Sequence, residues 1–305
     1  MDGCTRWVTK EFRPENAGFG YENPAGFVSS QWPINPRLFV FYRVLVAIAI
    51  TGWCIADVAY EAGEFYEGRV WKWFIFATNW SFMLLTMSAL YQALTALLYT
   101  SREYWIVDPL YSRSMPLCLR LQWVIYNLSC NSAVVVTLSF WFYIALFDHS
   151  PVLQTPMSRL KHTMNTVYVI VDIMISGMPI RVLHMFITIT LGSIYALFNA
   201  LYFLNNGTIA TGYGGEHEHH YAYSFMNWRK PIEAVITCVL CVMLAIISQV
   251  LLHLLYKIRV WIYSRFYFNS SDTHESELQN IISASTSYNT LDDKYLDGND
   301  SKLIE

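Results

Sequence analysis

Long apolar stretches separated by short polar segments dominate the pattern of this chain. In the clearest, from Trp71 to Thr100, no acidic or basic residue follows Lys72. At about 1.5 Å per residue, a helix of that length crosses a bilayer. The same pattern predicts six spans, at 38–60, 71–100, 121–147, 161–178, 182–204 and 231–256. We therefore expect an all-α fold, an integral membrane bundle of six transmembrane helices.

Polar residues within these spans predict an interior that is not purely apolar. Thr78, Ser81, Ser88 and Gln92 fall on one face of the second helix, and lipid offers such a face no partner. We expect a polar cavity between helices. Its candidate lining residues are Ser81, Asn127, Asn131, Asn165 and Asp172. For Asp172 two interpretations stay open: a protonated acid bonded to a neighbouring Asn, or a member of a functional site.

The polar segments outside the spans predict three regions. Residues 1–36 form an irregular arm lying at the membrane surface, residues 37–260 the membrane domain, and residues 261–305 a disordered acidic tail. Lys and Arg are more frequent in the arm, the 101–120 loop and the start of the tail than in the opposite loops. This excess places both termini in the cytosol. The sequon at Asn206 then lies outside and is a glycosylation candidate.

Composition narrows the class further. Hydrophobic residues make up 54% of the chain and charged residues 14%, and a net charge of −3 argues against nucleic-acid binding. The outer loop at 216–220 is rich in His and Glu, but the histidines lack the rigid spacing of a zinc site. A solvated, pH-sensitive loop is the favoured interpretation, and neither a metal nor another cofactor is predicted.

Thr78 and His162 are the candidate catalytic pair. Both lie at the same depth, near the outer ends of their spans, so neighbouring helices would bring them together. A hydroxyl beside an imidazole is the minimum for a nucleophile and its base. The alternative stays open, because a membrane-helix Thr commonly bonds to its own backbone and a His at a helix start is often interfacial.

Three sequence elements resemble the rolling stone family of animal membrane proteins. They are EFRPENAGFGYENPAGFVSSQWPINPRLFVFYR from Glu11 to Arg43, FATNWSF from Phe76 to Phe82, and NWRKP from Asn227 to Pro231. The resemblance implies a role in myoblast or other cell–cell fusion. Cell-surface or cytosolic fusion partners would then join the lipid bilayer as partners, at the plasma membrane rather than the endoplasmic reticulum.

A more distant resemblance is to the androgen-induced six-span hydrolases, which cleave fatty acid esters of hydroxy fatty acids. Thr78 follows Trp71-Lys72, and His162 opens the segment His-Thr-Met-Asn-Thr, as in that family. This resemblance implies an intramembrane lipid-ester hydrolase with Thr78 as nucleophile and His162 as base. The long arm and the short turn at 177–181 depart from that family's pattern and leave the substrate open.

Overall fold

The computed structural model describes residue 9 and residues 11–102, 115–144, 155–209 and 220–268 of the 305-residue chain. Within those ranges the fold is helical, with one isolated β-bridge and no β-strand. Its long helices are α1 Pro36–Glu64, α2 Ala77–Ser101, α3 Leu117–Ser139, α4 Pro156–Ile175, α5 Met185–Leu204 and α6 Pro231–Tyr263. The chain divides into two compact units, Met1–Tyr256 and Lys257–Glu305, and the contacts described below lie in the first.

Five helical stretches of the described residues are long and apolar enough to cross a membrane. They are Pro36–Glu64, Ala77–Ser101, Leu117–Phe142, Val182–Leu204 and Pro231–Phe266. This confirms the prediction of an all-helical, multi-pass integral membrane protein. The fourth predicted span, α4, is not among the five, because Arg159, Lys161 and Asp172 place three charges within its 20 residues. The count of six spans and the orientation of the termini stay predictions.

Helices α2 and α3 form the centre of the bundle. About half of each membrane-length segment is buried, against about a fifth for α1, α5 and α6. Helix α2 packs between α1 and α3, and α3 also contacts α4 and α5. The polar face predicted for α2 is buried within this centre, where Ser88, Gln92 and Thr95 are each at most 3% exposed. Polar side chains on the central helix thus meet other helices rather than lipid.

The described part of the N-terminal arm packs into one end of the bundle instead of lying apart at a surface. Helix α4 ends at Ile175, which leaves its last carbonyls without intrahelical partners. Ser30 Oγ and the Gln31 backbone N–H both donate to the Ile175 carbonyl, at 2.9 and 3.1 Å. Trp32 Nε1 donates to the Met174 carbonyl at 2.6 Å. The arm therefore caps α4 with its own donors.

Glycine permits this close packing. A Cβ added at Gly177 would lie 2.5 Å from the carbonyl oxygen of Gly26 in the arm, so any other residue would push the two segments apart. Further along, the Arg181 guanidinium donates to the carbonyls of Gly18 and Gly20, at 2.8 Å each. Arg181 marks the short turn between α4 and α5, and the arm stabilises that turn from outside.

Buried ion pairs join α1 to α4. Arg43, near the start of α1, pairs with Asp172, near the end of α4, and Tyr42 donates a second hydrogen bond to the same carboxylate oxygen at 3.0 Å. Glu61, near the end of α1, pairs with Lys161, near the start of α4. Pairing an early residue with a late one at both ends makes the two helices antiparallel and sets their register.

The Arg43–Asp172 pair corrects the expectation for Asp172. The residue is buried, with no measurable exposure, and it bonds a cation instead of a neighbouring Asn. A desolvated charge without a partner costs far more than the pair itself contributes. Arg43 stands 3% exposed in an apolar helix, and hydropathy alone gave no indication of its partner.

We predict that Arg43→Met lowers the free energy of unfolding by about 3–5 kcal/mol, because Asp172 is left buried and unpaired. The double change Arg43→Met with Asp172→Leu should recover most of this loss. The measurement is denaturant or thermal unfolding of the purified protein in detergent micelles. Arg37→Met, the same substitution at an exposed position of α1, is the matched control and should change stability by less than about 0.5 kcal/mol. Equal effects at positions 37 and 43 would contradict the prediction.

Candidate functional site

Thr78 lies in the first turn of α2, directly after a short 3₁₀ turn at Val70–Ile75. Backbone N–H groups in a first helical turn have no intrahelical acceptor and carry the positive end of the helix dipole. The Thr78 N–H donates to the Tyr223 hydroxyl at 3.4 Å. Burial raises the pKa of Tyr223 to about 12, so that hydroxyl stays protonated at neutral pH. Thr78 is itself 6% exposed.

His162 lies in the second turn of α4 with its ring enclosed. The residue is 1% exposed, and its ring centroid is 4.3 Å from that of Phe140. Thr137 of α3 donates to the His162 carbonyl, which holds the backbone in place. Among the described residues, neither ring nitrogen has a hydrogen-bond partner. A buried imidazole with both nitrogens free is costly as a structural element, and it is available to a ligand.

Thr78 and His162 line the same small gap between side chains, together with Glu61, Asn79 and Lys161, and in this structure the gap has no room for a water molecule. No hydrogen bond within the described part of the chain joins the two residues. The structure therefore brings the two sequence-predicted residues to one site, with the imidazole unpaired and the hydroxyl at a helix start. An apo site often lacks a catalytic hydrogen bond that forms with substrate.

A buried ionic cluster, made of Lys161, Asp57, Glu61 and Asn79, lies beside this gap. Lys161 Nζ donates to Asp57 Oδ2 at 2.8 Å, to Glu61 Oε1 at 2.7 Å and to Asn79 Oδ1 at 2.8 Å. These three acceptors match the three donors of an ammonium group. Lys161 is 2% exposed, so its charge is neutralised inside the protein and not by water.

Other side chains donate further hydrogen bonds to the Asp57 and Glu61 carboxylates. Trp73 Nε1 donates to Asp57 Oδ2 at 3.0 Å, and Asn79 Nδ2 and the Tyr66 hydroxyl each donate to Glu61 Oε2 at 3.2 Å. Burial, followed by the nearby Glu61 carboxylate, raises the pKa of Tyr66 well above its usual value, so its hydroxyl remains a donor. Asn79 is adjacent to Thr78, and the cluster thereby fixes the first turn of α2.

The sequence pattern did not predict this cluster. The predicted spans 38–60 and 161–178 left Glu61 just outside the first and placed Lys161 at the edge of the fourth, whereas α1 continues to Glu64 and both residues are buried. One signal was present: Asp57 and Glu61 are four residues apart, which places them on one helix face.

A larger, apolar cavity of about 340 Å³ lies on another side of Thr78, between α2, α3, α5 and α6. Thr78 and Ser81 are both on its wall, together with Tyr223. Thr78 therefore lines two spaces. His162 also lines the small one, and the large one has mainly apolar walls. The volume lies at the lower end of the range for ligand pockets.

The other predicted lining residues lie elsewhere among the described residues. Asn131 Nδ2 donates to Gln249 Oε1 at 2.6 Å and to the Ala245 carbonyl at 3.0 Å, and Gln249 Nε2 donates to Asn127 Oδ1 at 3.4 Å. These amides join α3 to α6 and do not face the cavity. Asn165 is buried on α4 and Asp172 pairs with Arg43, so neither is on the wall.

The loop features are only partly described. Asn206 follows the end of α5, is exposed, and has a φ of 53°. Most of the His-rich segment, 216–219, lies outside the described residues, and His220 Nδ1 lies 3.1 Å from the Gly207 carbonyl. No group of three or more His, Cys, Asp or Glu side chains in the described ranges is placed to hold a metal ion.

The membrane-length helices and their buried polar centre define a multi-pass integral membrane protein. No solved structure matches the chain. A family model described as Protein rolling stone matches residues 1–276, so the chain belongs to the rolling stone family. It is 28% identical over 266 residues to Protein rolling stone of Drosophila melanogaster, a match that covers 85% of this chain and 92% of that relative. The resemblance seen in the sequence is confirmed.

Proposed function

We propose that this protein is an intramembrane hydrolase of lipid esters, with Thr78 as the nucleophile and His162 as the general base. The observation that carries the proposal is that both residues line one small gap, where the His162 ring nitrogens have no partner among the described residues. An apolar cavity on the other side of Thr78 suits the hydrocarbon part of such a substrate. The distant resemblance to androgen-induced hydrolases implies the same two residues.

The chemistry follows from these positions. His162 accepts the Thr78 hydroxyl proton as Thr78 Oγ adds to the ester carbonyl carbon. The positive end of the α2 helix dipole stabilises the negative charge that develops on the carbonyl oxygen. The ester C–O bond then breaks, and His162 returns the proton to the departing alcohol. Water, deprotonated by His162, next hydrolyses the acyl-threonine to a fatty acid and restores Thr78.

The ionic cluster serves this site by positioning. Lys161 and His162 are neighbours on α4, and Asn79 follows Thr78 on α2. Because Lys161 Nζ bonds Asn79 Oδ1 at 2.8 Å, one contact holds the helix that carries the base against the helix that carries the nucleophile. Catalytic groups need such support, since a displacement of about 1 Å reduces rates about a hundredfold.

We predict that a fluorophosphonate probe labels the detergent-solubilised protein, and that both Thr78→Ala and His162→Gln abolish labelling. Thr86→Ala is the matched control, because Thr86 is a buried threonine two turns further along α2 that donates to the Phe82 carbonyl at 3.0 Å and does not line either space beside Thr78. Labelling is read by gel fluorescence, and thermal unfolding of each variant confirms its folding. Labelling that survives Thr78→Ala, or an unlabelled but folded parent protein, would refute the hydrolase.

A second candidate is a non-enzymatic role in myoblast or cell–cell fusion at the plasma membrane, which membership of the rolling stone family supports. The loops outside the membrane and the tail would then engage cell-surface and cytosolic partners. The same Thr78→Ala variant separates the two functions in a cell-mixing assay. A catalytic role requires that fusion and probe labelling disappear together, whereas a purely adhesive role leaves fusion intact.

We also propose six spans with both termini in the cytosol. Helix α4 contributes two buried charges, Lys161 near its start and Asp172 near its end, and each is paired inside the protein. The helix therefore presents lipid with an apolar stripe of exposed residues, namely Met157, Leu160, Met164, Val167, Ile170 and Val171. Their spacing of three and four residues is that of one helix face. Because these charges are paired inside the protein, they do not prevent α4 from crossing the membrane. Helix α4 would bring the number of spans from five to six.

For this orientation we predict an N-linked glycan at Asn206, measured as a glycosidase-sensitive gel shift of protein expressed in animal cells. Asn206→Gln should remove the shift. Asn205→Gln should retain it, because the neighbouring exposed Asn205 begins no sequon. Two results together would contradict this orientation. The parent protein would carry no glycan, and the Asn206→Cys variant would react with an impermeant maleimide only after the cells are permeabilised.

A further inference from the structure

The apolar cavity beside Thr78 extends along four helices. Four helices contribute about two turns each to its wall, over residues 77–84, 132–139, 188–196 and 237–245. At about 1.5 Å per residue, these segments extend for about 10–13 Å along the helix axes. A space of this length with mainly apolar walls accommodates a hydrocarbon chain.

Exposed residues of α5 and α6 form part of the cavity wall. Gly192 of α5 and Cys241 of α6 are on its wall, yet both are exposed. A wall residue that is also exposed lies at the rim of an opening. Both residues fall well inside apolar membrane-length stretches, Val182–Leu204 and Pro231–Phe266, so the opening faces hydrocarbon. A Cβ added at Gly192 meets no heavy atom within 4 Å, so glycine leaves this rim open.

Two buried hydroxyls on the wall lack partners among the described residues. Ser81 Oγ lies one turn beyond Thr78 on a residue that is 2% exposed, and Thr188 Oγ1 belongs to a residue that is 7% exposed. A buried polar group without a hydrogen bond costs about 1–3 kcal/mol. Ser81 therefore offers an unused hydrogen bond to an oxygen of a bound molecule, at the same end of the cavity as Thr78.

We propose that a single-chain amphiphilic lipid enters from the bilayer core between Gly192 and Cys241, with its chain in the cavity and its oxygen-bearing end at Ser81 and Thr78. The inference deepens the proposed function, since for a hydrolase this molecule is the acyl part of the ester substrate. A free fatty acid and a fatty acyl ester share the required chemistry, and the two arms of the experiment distinguish them.

The first arm tests entry and binding without catalysis. A long-chain fatty acid carrying a diazirine is photo-crosslinked to the full-length protein in detergent micelles, and the modified residues are mapped by mass spectrometry. Crosslinks are expected within 188–196 and 237–245. Gly192→Leu should reduce them by about tenfold or more. Gly52→Leu is the matched control, because Gly52 is also an exposed helical glycine with open space around it but is not on the cavity wall.

The second arm uses fluorophosphonates with long and short alkyl chains. Gly192→Leu should lose labelling by the long-chain probe and keep labelling by the short-chain probe, whereas Gly52→Leu should keep both. Thermal unfolding shows that each variant is folded. Thr78→Ala should lose labelling by both probes and still crosslink the diazirine fatty acid, which separates chain binding from chemistry.

Two outcomes overturn different claims. Equal crosslinking of the parent, Gly192→Leu and Gly52→Leu proteins, or crosslinks confined to residues outside the cavity wall, would refute entry between α5 and α6. Crosslinking that depends on Gly192, in a protein that neither phosphonate labels, would refute the hydrolase and leave the lipid-binding site standing.

Discussion

Hydrocarbon offers a charged side chain no partner, and the described residues meet this constraint with internal ion pairs between α1 and α4. Arg43 binds Asp172 near one end of the two helices, and Lys161 binds Asp57 and Glu61 near the other. These two sets of ion pairs make α1 and α4 antiparallel and fix their register. They also leave the lipid-facing side of α4 apolar, which a simple charge count along that helix does not reveal.

The candidate site is a consequence of the same pairing. Lys161 binds Asn79 as well as the carboxylates, so the cluster that neutralises charge also holds the start of α2 against α4. Thr78 and His162, each adjacent in sequence to a member of the cluster, are thereby brought to one small space. The apolar cavity that also borders Thr78 is where the proposed lipid substrate would reach this polar centre from within the membrane.

The sequence predicted what depends on local pattern. Long apolar runs predicted the helices. The matching depth of Thr78 and His162 led to the prediction of a catalytic pair, which stays a prediction. Partner identity was not predictable, because Arg43 and Asp172 are 129 residues apart in the chain and meet only in the folded bundle. Asn127 and Asn131 were assigned to a cavity, since polarity within a span does not distinguish a cavity wall from a helix–helix contact. The packing of the N-terminal arm was not predictable, because its hydrogen-bond donors cap the end of α4, which is far away in sequence.

The most direct measurement is a double-mutant cycle on the ionic cluster, using Lys161→Met, Glu61→Gln and the pair of changes, read by unfolding in detergent micelles. If Lys161 holds the bundle together by neutralising buried carboxylates, the double change should cost less than the sum of the single changes. The expected difference is more than about 1 kcal/mol. Single changes that add within about 0.5 kcal/mol would show that the two residues do not interact, and would contradict the central role assigned to their pairing.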